Sequence, residues 1–336
     1  MGEYCHQKEI NINKTTKQQS DYGTKDVQYV NCPLCNENKY RKIATEWGIL
    51  GIVKCKSCGL IYVNPRLKEP EKMYWGSKDK YLEEAKLIFE GKQKSHRDVN
   101  YLTDLKKIEK IKPTGNFLDI GTNMGMFLRN ARKRGWRLFG IEPSPALSEI
   151  AREKFGLDIY TGFLHENKFP DNFFDVVTMT DVFEHIAEPQ EMLKDVHRII
   201  KQDGLMFIKV PHANFNLLKY SLYKKILHRF SFSQDIFRDI FDSREHIVHY
   251  TKETIIKMLD KGGFKVKAVE IDLPIQTPTW RELVGHYYQY PTPWHIDWKN
   301  KLVRRGLYCL AMALFYFSGG KITPFASNIA VYAHKK

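Results

Sequence analysis

Two pairs of cysteines and two acidic residues at strand ends are the parts of this sequence best suited to chemistry. Cys32-Pro-Leu-Cys35 and Cys55-Lys-Ser-Cys58 each place two thiols where a tight turn aims them at one point. Two such knuckles supply the four sulfurs of a tetrahedral metal site. Gly59 follows directly and suits the backbone turn that such a site requires. Structural zinc (Zn2+) is the expected occupant, since four thiolates leave no coordination position open for water; a redox pair or an iron site could use the same spacing. Cys5 and Cys309 read as ordinary thiols.

The acidic pair sits farther along. Leu118-Asp-Ile-Gly-Thr-Asn-Met-Gly125 reads as a strand running into a turn. A dinucleotide fingerprint would need glycines at 121, 123 and 126, but Asn123 and Met126 occupy two of those places. Asp119 instead carries a carboxylate into the turn, poorly placed beside a pyrophosphate and well placed beside a cation. Gly140-Ile-Glu-Pro143 ends the next strand, where Glu142 can accept hydrogen bonds from both hydroxyls of a ribose. Together Asp119 and Glu142 suggest an adenosine ligand that is cationic and carries no phosphate, a description met by S-adenosylmethionine. Taken singly, Asp119 could merely cap the following helix and Glu142 could be a surface residue.

The elements that must hold these residues follow from periodicity. Lys39–Ala44 and Ile49–Lys54 read as short strands of a ribbon between the knuckles, and residues 80–112 as one long helical stretch. From Asn116 on, strands at 117–120, 137–141, 158–161, 175–179 and 205–210 alternate with helices at 124–134, 144–155 and 189–201. Pro145 after Ser144 suits a helix start and Gly156 a helix stop. Such alternation predicts a parallel sheet covered by helices on both faces. Runs at 265–272 and 328–334 would complete a seven-stranded, mostly parallel Rossmann-like sheet. The expected organisation is a disordered leader over 1–28, a zinc ribbon over 29–66, a helical linker or lid over 67–112, and the main domain over 113–336 with insertions at 212–247 and 273–327.

The 336 residues are 43% hydrophobic and 27% charged, which is ordinary for a globular protein. The formal net charge of +14 is not ordinary. It suits acidic small molecules, nucleic acid or an anionic membrane surface. Residues 1–28 lack the apolar core of a secretory signal, and the apolar run Leu307–Phe317 is too short for a bilayer, which takes about 20 residues. A cytoplasmic location is the expectation.

Residues 117–210 resemble the class I S-adenosylmethionine-dependent methyltransferases, in particular the small-molecule branch related to the ubiquinone-biosynthesis enzymes. The resemblance lies in Leu118–Gly125, Gly140–Pro143 and Phe173-Phe-Asp-Val-Val-Thr-Met-Thr-Asp-Val-Phe-Glu-His-Ile186, and continues through His246-Ile-Val-His-Tyr-Thr-Lys-Glu-Thr254 and Gly262-Gly-Phe264. The cysteine ribbon followed by Asn64-Pro65-Arg66 is similar to bacterial members with an appended zinc ribbon, often associated with sugar or natural-product methylation. The resemblance implies a turn from Asp119 through Gly121, Thr122, Asn123 and Gly125 that holds the methionine part, with Glu142 and Pro143 at the ribose. It implies that Gly162, Phe163 and Leu164 flank adenine and that Thr180 and Asp181 close the pocket. Asn123 stands where the family usually has glycine, and the usual acid near the adenine amine is missing at Phe163.

If the methyl acceptor is a hydroxyl, a base must take its proton. His185 is the candidate, four residues after Asp181, with an unperturbed pKa near 6.5 suited to the task; it could equally be a histidine that only fixes the loop. His246 and His249, three apart, are further candidates to line the acceptor site, but show no third partner for a metal. The insertions carry aromatic residues among cations: Phe215, Tyr220, Tyr223, Phe230, Phe232, Phe237 and Phe241, then Trp280, Tyr287, Tyr288, Tyr290, Trp294 and Trp298. Such surfaces suit a nucleotide-linked sugar, an RNA strand or a lipid phosphate. The expected acceptor is a small, anionic metabolite such as a sugar or glycan precursor, methylated on oxygen. The alternatives are an RNA methyltransferase and a non-catalytic S-adenosylmethionine-binding protein, and residues 298–318 could rest on a membrane surface.

Overall fold

A computed structural model describes residues 23–70, 78–92, 95, 97–225, 240–272, 313, 317 and 328–336. Most of the expected leader, the middle of the 212–247 insertion and nearly all of the 273–327 insertion, including all of residues 298–318 but 313 and 317, lie outside the described residues.

The chain opens with β1 (Val27–Gln28), then β2 (Tyr40–Glu46), β3 (Leu50–Cys55), β4 (Ile61–Val63) and β5 (Arg66–Leu67). Residues 27 and 28, expected at the end of the leader, pair antiparallel with β5. Helices α1 (Lys78–Phe89) and α2 (Asp98–Ile111) come next. The sequence read residues 80–112 as one helical stretch; Gly91, at φ 70, lies between two separate helices. That left-handed backbone is one an α-helix cannot continue through.

The main sheet then unfolds in order: β6 (Gly115–Ile120), α3 (Met126–Ala131), β7 (Trp136–Glu142), α4 (Pro145–Phe155), β8 (Asp158–Thr161), β9 (Phe174–Thr180), α5 (Pro189–Ile199), β10 (Ile200–Pro211) and α6 (Ala213–Lys225). It closes with β11 (Val248–His249), α7 (Lys252–Lys261), β12 (Phe264–Asp272) and β13 (Asn328–Lys335). Helix α4 begins and ends as the sequence indicated. Ser144 Oγ accepts from the Leu147 amide at 3.5 Å, and Gly156 caps the far end in the left-handed region.

Seven strands form one sheet in the order β12-β13-β10-β9-β6-β7-β8, with β8, β7, β6, β9 and β10 parallel and β13 antiparallel to both its neighbours. This is the expected Rossmann-like architecture. Successive residues of one strand serve opposite faces, as pleating requires. Phe117, Val176 and Phe207 pack with Leu105, Ile108, Phe127 and Ala151 of α2, α3 and α4. Leu118, Val177 and Ile208 pack with Leu193, Val196, Ile255 and Met258 of α5 and α7. Burial on both sides makes the central strands continuous apolar runs.

The ribbon is not a bead on a string. Its four-stranded sheet has the order β11-β4-β3-β2, so its edge strand β11 comes from between β10 and β12 of the main sheet in sequence. Val248 pairs with Tyr62 and His249 with Ile61, and Leu50, Ile52 and Val63 share one hydrophobic core with α5 and α7.

Candidate functional site

The chain leaves β6 toward β7 and β8, then returns to the other flank of β6 through β9. The switch point therefore lies between the carboxyl ends of β6 and β9, where such sheets bind ligands. The strand-end residues singled out from the sequence, Leu164 excepted, are at that edge. Gly121, Asn123, Pro143, Gly162, Phe163, Thr180 and Asp181 are half-buried there, at the end of β9 and in the turns that follow β6, β7, β8 and β9.

Asp119 lies beneath the turn, 1% exposed, and its Oδ1 accepts from Thr178 Oγ1 at 2.6 Å. Burial raises its pKa to about 7, with Thr178 working in the opposite direction. Glu142 is also buried; its Oε2 accepts from the Asn123 amide at 2.8 Å and its Oε1 from the Ser144 amide at 2.9 Å. The carboxylate thus ties the first turn to the second. Each oxygen has a further lone pair, which a diol could use. Asn123 sits at φ 52, a region that asparagine tolerates better than most residues, so it fills the expected glycine position at little cost.

Gly121 has a steric reason as well as a conformational one. It lies at φ 71, and a Cβ built there would stand 2.5 Å from Val182 Cγ2. The turn after β6 and the turn after β9 touch at this point. Thr122 donates its amide to Ile141 O at 3.0 Å, and Gly125 takes the left-handed cap position before α3. Leu164 departs from expectation: it is 1% exposed within the main core. Only Gly162 and Phe163 of that trio reach the edge, because the short helical turn Leu164–Glu166 directs Leu164 inward.

Helix α1 belongs to the segment expected to be a helical linker or lid. Tyr81, Leu82 and Ala85 of α1 pack against Met124, Met126 and Leu147, directly over the cofactor turn. Arg97, just ahead of α2, pairs with Asp181 at 3.2 Å and donates to the Tyr101 hydroxyl. The sequence reading missed Tyr81, Arg97 and Tyr101, which lie outside any strand-end motif. An aromatic–cation pattern on a helix preceding the first strand is the only hint the sequence carries. Asp181 itself sits at φ 55, an uncommon backbone for aspartate.

His185 ends the short helical turn Phe183–His185, and its Nδ1 lies 2.8 Å from the Glu245 carbonyl. That carbonyl can only accept, so Nδ1 carries the proton and Nε2 keeps its lone pair. The expected near-neutral pKa is not what the site produces. Burial first, and the neighbouring His246 second, push it down to about 3, leaving the imidazole neutral. Its ring meets that of His246 edge-on, with centroids 4.7 Å apart. His249 is buried, in β11. Phe241, expected on an acceptor-facing surface, is 1% exposed and packs on Tyr220 and His249. Phe215 instead lies under Lys219 at 4.8 Å, as an aromatic–cation pair.

The four cysteines of the ribbon converge. Cys32 Sγ lies 3.5 Å from Cys58 Sγ, and Cys35 Sγ 3.5 Å from Cys55 Sγ; all four sulfurs are within 4.8 Å of one another. A tetrahedron of Zn–S bonds has sulfur–sulfur edges of about 3.8 Å, while a disulfide requires about 2.05 Å. Backbone amides of Leu34 and Cys35 donate to Cys32, those of Ser57 and Cys58 to Cys55, and that of Leu60 to Cys58. Burial pushes the Cys32 and Cys58 thiols up while these amides work in the opposite direction, and the cluster has the dimensions of a tetrahedral zinc site.

The chain belongs to the methyltransferase-domain family, whose model matches residues 94–269. It is similar to the C-methyltransferase NovU of Streptomyces niveus, with 28% identity over 223 residues, 65% of this chain and 47% of that protein. The ubiquinone biosynthesis O-methyltransferase of Coxiella burnetii is 24% identical over 110 residues, 31% of this chain and 47% of that protein. The demethylmenaquinone methyltransferase of Chlorobaculum parvum is 27% identical over 158 residues, 44% of this chain and 65% of that protein. The chain thus spans about half to two-thirds of the length of these relatives. Among the described residues, no helix is long and apolar enough to cross a membrane.

Proposed function

We propose that this chain transfers a methyl group from S-adenosylmethionine to a small, anionic metabolite such as a nucleotide-linked sugar or glycan precursor. The observation that carries the reading is the placing of two carboxylates, Asp119 and Glu142, at the ends of adjacent strands beside the β6–β9 switch point, which suits a ligand with one cationic and one ribose part. When bound, that cofactor supplies a methyl carbon activated by a sulfonium. Asp119 would answer its ammonium group, Glu142 its ribose hydroxyls, and Arg97 its carboxylate. Gly162 and Phe163 would flank its adenine. The cover formed by α1 excludes water, and the strand-end turns hold the acceptor in line.

For an oxygen acceptor, His185 Nε2 would accept the hydroxyl proton as the oxygen attacks. Its depressed basicity makes it a weak base on its own. A carbon acceptor is the second reading, supported by the similarity over 223 residues to a C-methyltransferase. In the ribbon, Cys32, Cys35, Cys55 and Cys58 would hold a structural zinc, in keeping with their sulfur–sulfur distances.

Calorimetry with S-adenosylhomocysteine tests the cofactor half of the proposal. One equivalent should bind, and Glu142→Ala should weaken it about tenfold or more, as loss of a charged hydrogen-bonding partner implies. Absence of binding would overturn the reading. For the acceptor, labelled S-adenosylmethionine should mark a phosphatase-sensitive small molecule, whereas label in a nuclease-sensitive polymer would refute the small-molecule reading.

A further inference from the structure

The turn after β9 and the segment entering β11 bring three metal-capable side chains together beside the β6–β9 switch point. Glu184 Oε1 lies 3.8 Å from His185 Nε2 and 3.8 Å from His246 Nε2. One ligand atom from each of the three falls within 4.8 Å of the others. Ligand atoms sharing a small divalent ion stand about 3 to 3.5 Å apart, so closure needs only a slight contraction.

Glu184 is the residue in need of explanation. Its side chain is 2% exposed, and its carboxylate oxygens find no hydrogen-bond partner beyond Glu184's own backbone amide. A buried carboxylate is costly unless a cation or a proton joins it. Asp181 and Asp242 add further negative charge around it, with Arg97 as the opposing cation. The two imidazoles facing it, on separate elements, present ring nitrogens to the same point. His185 donates through Nδ1 to the Glu245 carbonyl and turns Nε2 toward Glu184, and this is how metal-ligating histidines are commonly oriented by their surroundings.

We propose that Glu184, His185 and His246 form a binding site for a first-row divalent transition metal, separate from the cysteine cluster. Two imidazoles and one carboxylate suit manganese, iron, cobalt or zinc and leave coordination positions open. The His246 side chain is 21% exposed, so the site opens to solvent on that side. Asp181, whose carboxylate acts on Glu184, belongs to the turn after β9 at the switch point, which puts the cation on the acceptor side. An acceptor with two adjacent oxygens could occupy the open positions, and coordination lowers the pKa of a bound hydroxyl. His185 is then a ligand and takes no proton from the acceptor.

The site does not depend on the cofactor assignment, and the two are measured separately. The full chain with zinc in its ribbon is titrated with Co2+ alone, followed by calorimetry and visible absorption, while S-adenosylhomocysteine binding is recorded independently. One equivalent of Co2+ should bind with ligand-field bands and no thiolate charge-transfer band. Glu184→Gln, which preserves shape, and His246→Ala should each weaken it at least tenfold while zinc content stays at one per chain. The proposal is overturned if no saturable Co2+ binding occurs. It is equally overturned if binding shows only thiolate charge transfer, or if Glu184→Gln and His246→Ala leave the affinity within twofold of the parent chain.

Discussion

The carboxylate of Glu46, at the end of β2 in the ribbon, accepts the backbone amide of Phe241 at 2.8 Å and that of Ser243 at 3.1 Å. Trp47 continues the contact by lying 3.7 Å beneath the Arg244 guanidinium, and the Val63 amide donates to Ile247 O at 3.0 Å. The ribbon therefore grips the segment 241–249, which delivers Glu245 O to His185 and His246 to Glu184. Its bearing on the site is positional.

Glu46→Ala should leave two buried amides without partners, at about 1 to 3 kcal/mol of stability. The larger effect should fall on turnover, through a loosened His246, with S-adenosylhomocysteine affinity changed less than twofold. Parallel thermal melts, kcat and calorimetry check this. Equal losses in kcat and cofactor affinity would show that Glu46 acts on the whole domain instead.

Removal of metal from the cysteine cluster should act along the same route. Chelation, or Cys32→Ser with Cys35→Ser, should release the ribbon fold, because so small a sheet draws much of its folding energy from its metal. The pairing of β4 with β11 would go with it, and turnover should fall by about tenfold or more, in line with lost positioning. Metal analysis alongside activity decides. Full activity in a zinc-free chain would separate ribbon from site.

Asp119 makes the protein pH-dependent in a defined sense. Its folded pKa, about 7, lies above the ordinary value of 3.8, so the folded state holds this proton more tightly than the unfolded one. Its stabilising contribution is full below about pH 4 and is lost as pH rises through about 7. Cofactor affinity should move the opposite way, since only the ionised carboxylate attracts an ammonium group. Binding should tighten from pH 6 to pH 8, and Asp119→Asn should flatten that profile. A pH-independent affinity in the parent chain would remove Asp119 from the cofactor site.

Arg97 should matter for binding more than for folding. It is a half-exposed cation between Asp181 and Tyr101, and a charged hydrogen bond to a ligand carboxylate contributes about 1.5 to 3 kcal/mol. Arg97→Ala should weaken S-adenosylhomocysteine about tenfold to a hundredfold, with little change in melting temperature. Arg97→Lys should recover part of the affinity.

Gly121→Ala should cost about 1 to 3 kcal/mol, from the left-handed backbone and from the clash with Val182. In Gly121→Ala with Val182→Ala the steric part should disappear and the backbone part, about 1 to 2 kcal/mol, should persist. Denaturant melts of the four-member cycle separate the two terms.

The sequence by itself determined the alternation of strands and helices, the cysteine knuckles, and the strand-end carboxylates Asp119 and Glu142. Each of these rests on short-range regularities: a period of two or of 3.6, a turn residue, a Cys-x-x-Cys spacing. It could not determine that Leu164 and Phe241 turn into the core, or that His185 loses its basicity, because burial depends on which distant elements cover a residue. Nor could it join Glu46 to Ser243 or Glu184 to His246. Those partners meet only after the main sheet has folded back and β11 has paired with β4. Their proximity follows from topology and shared burial, which no local pattern along the chain encodes.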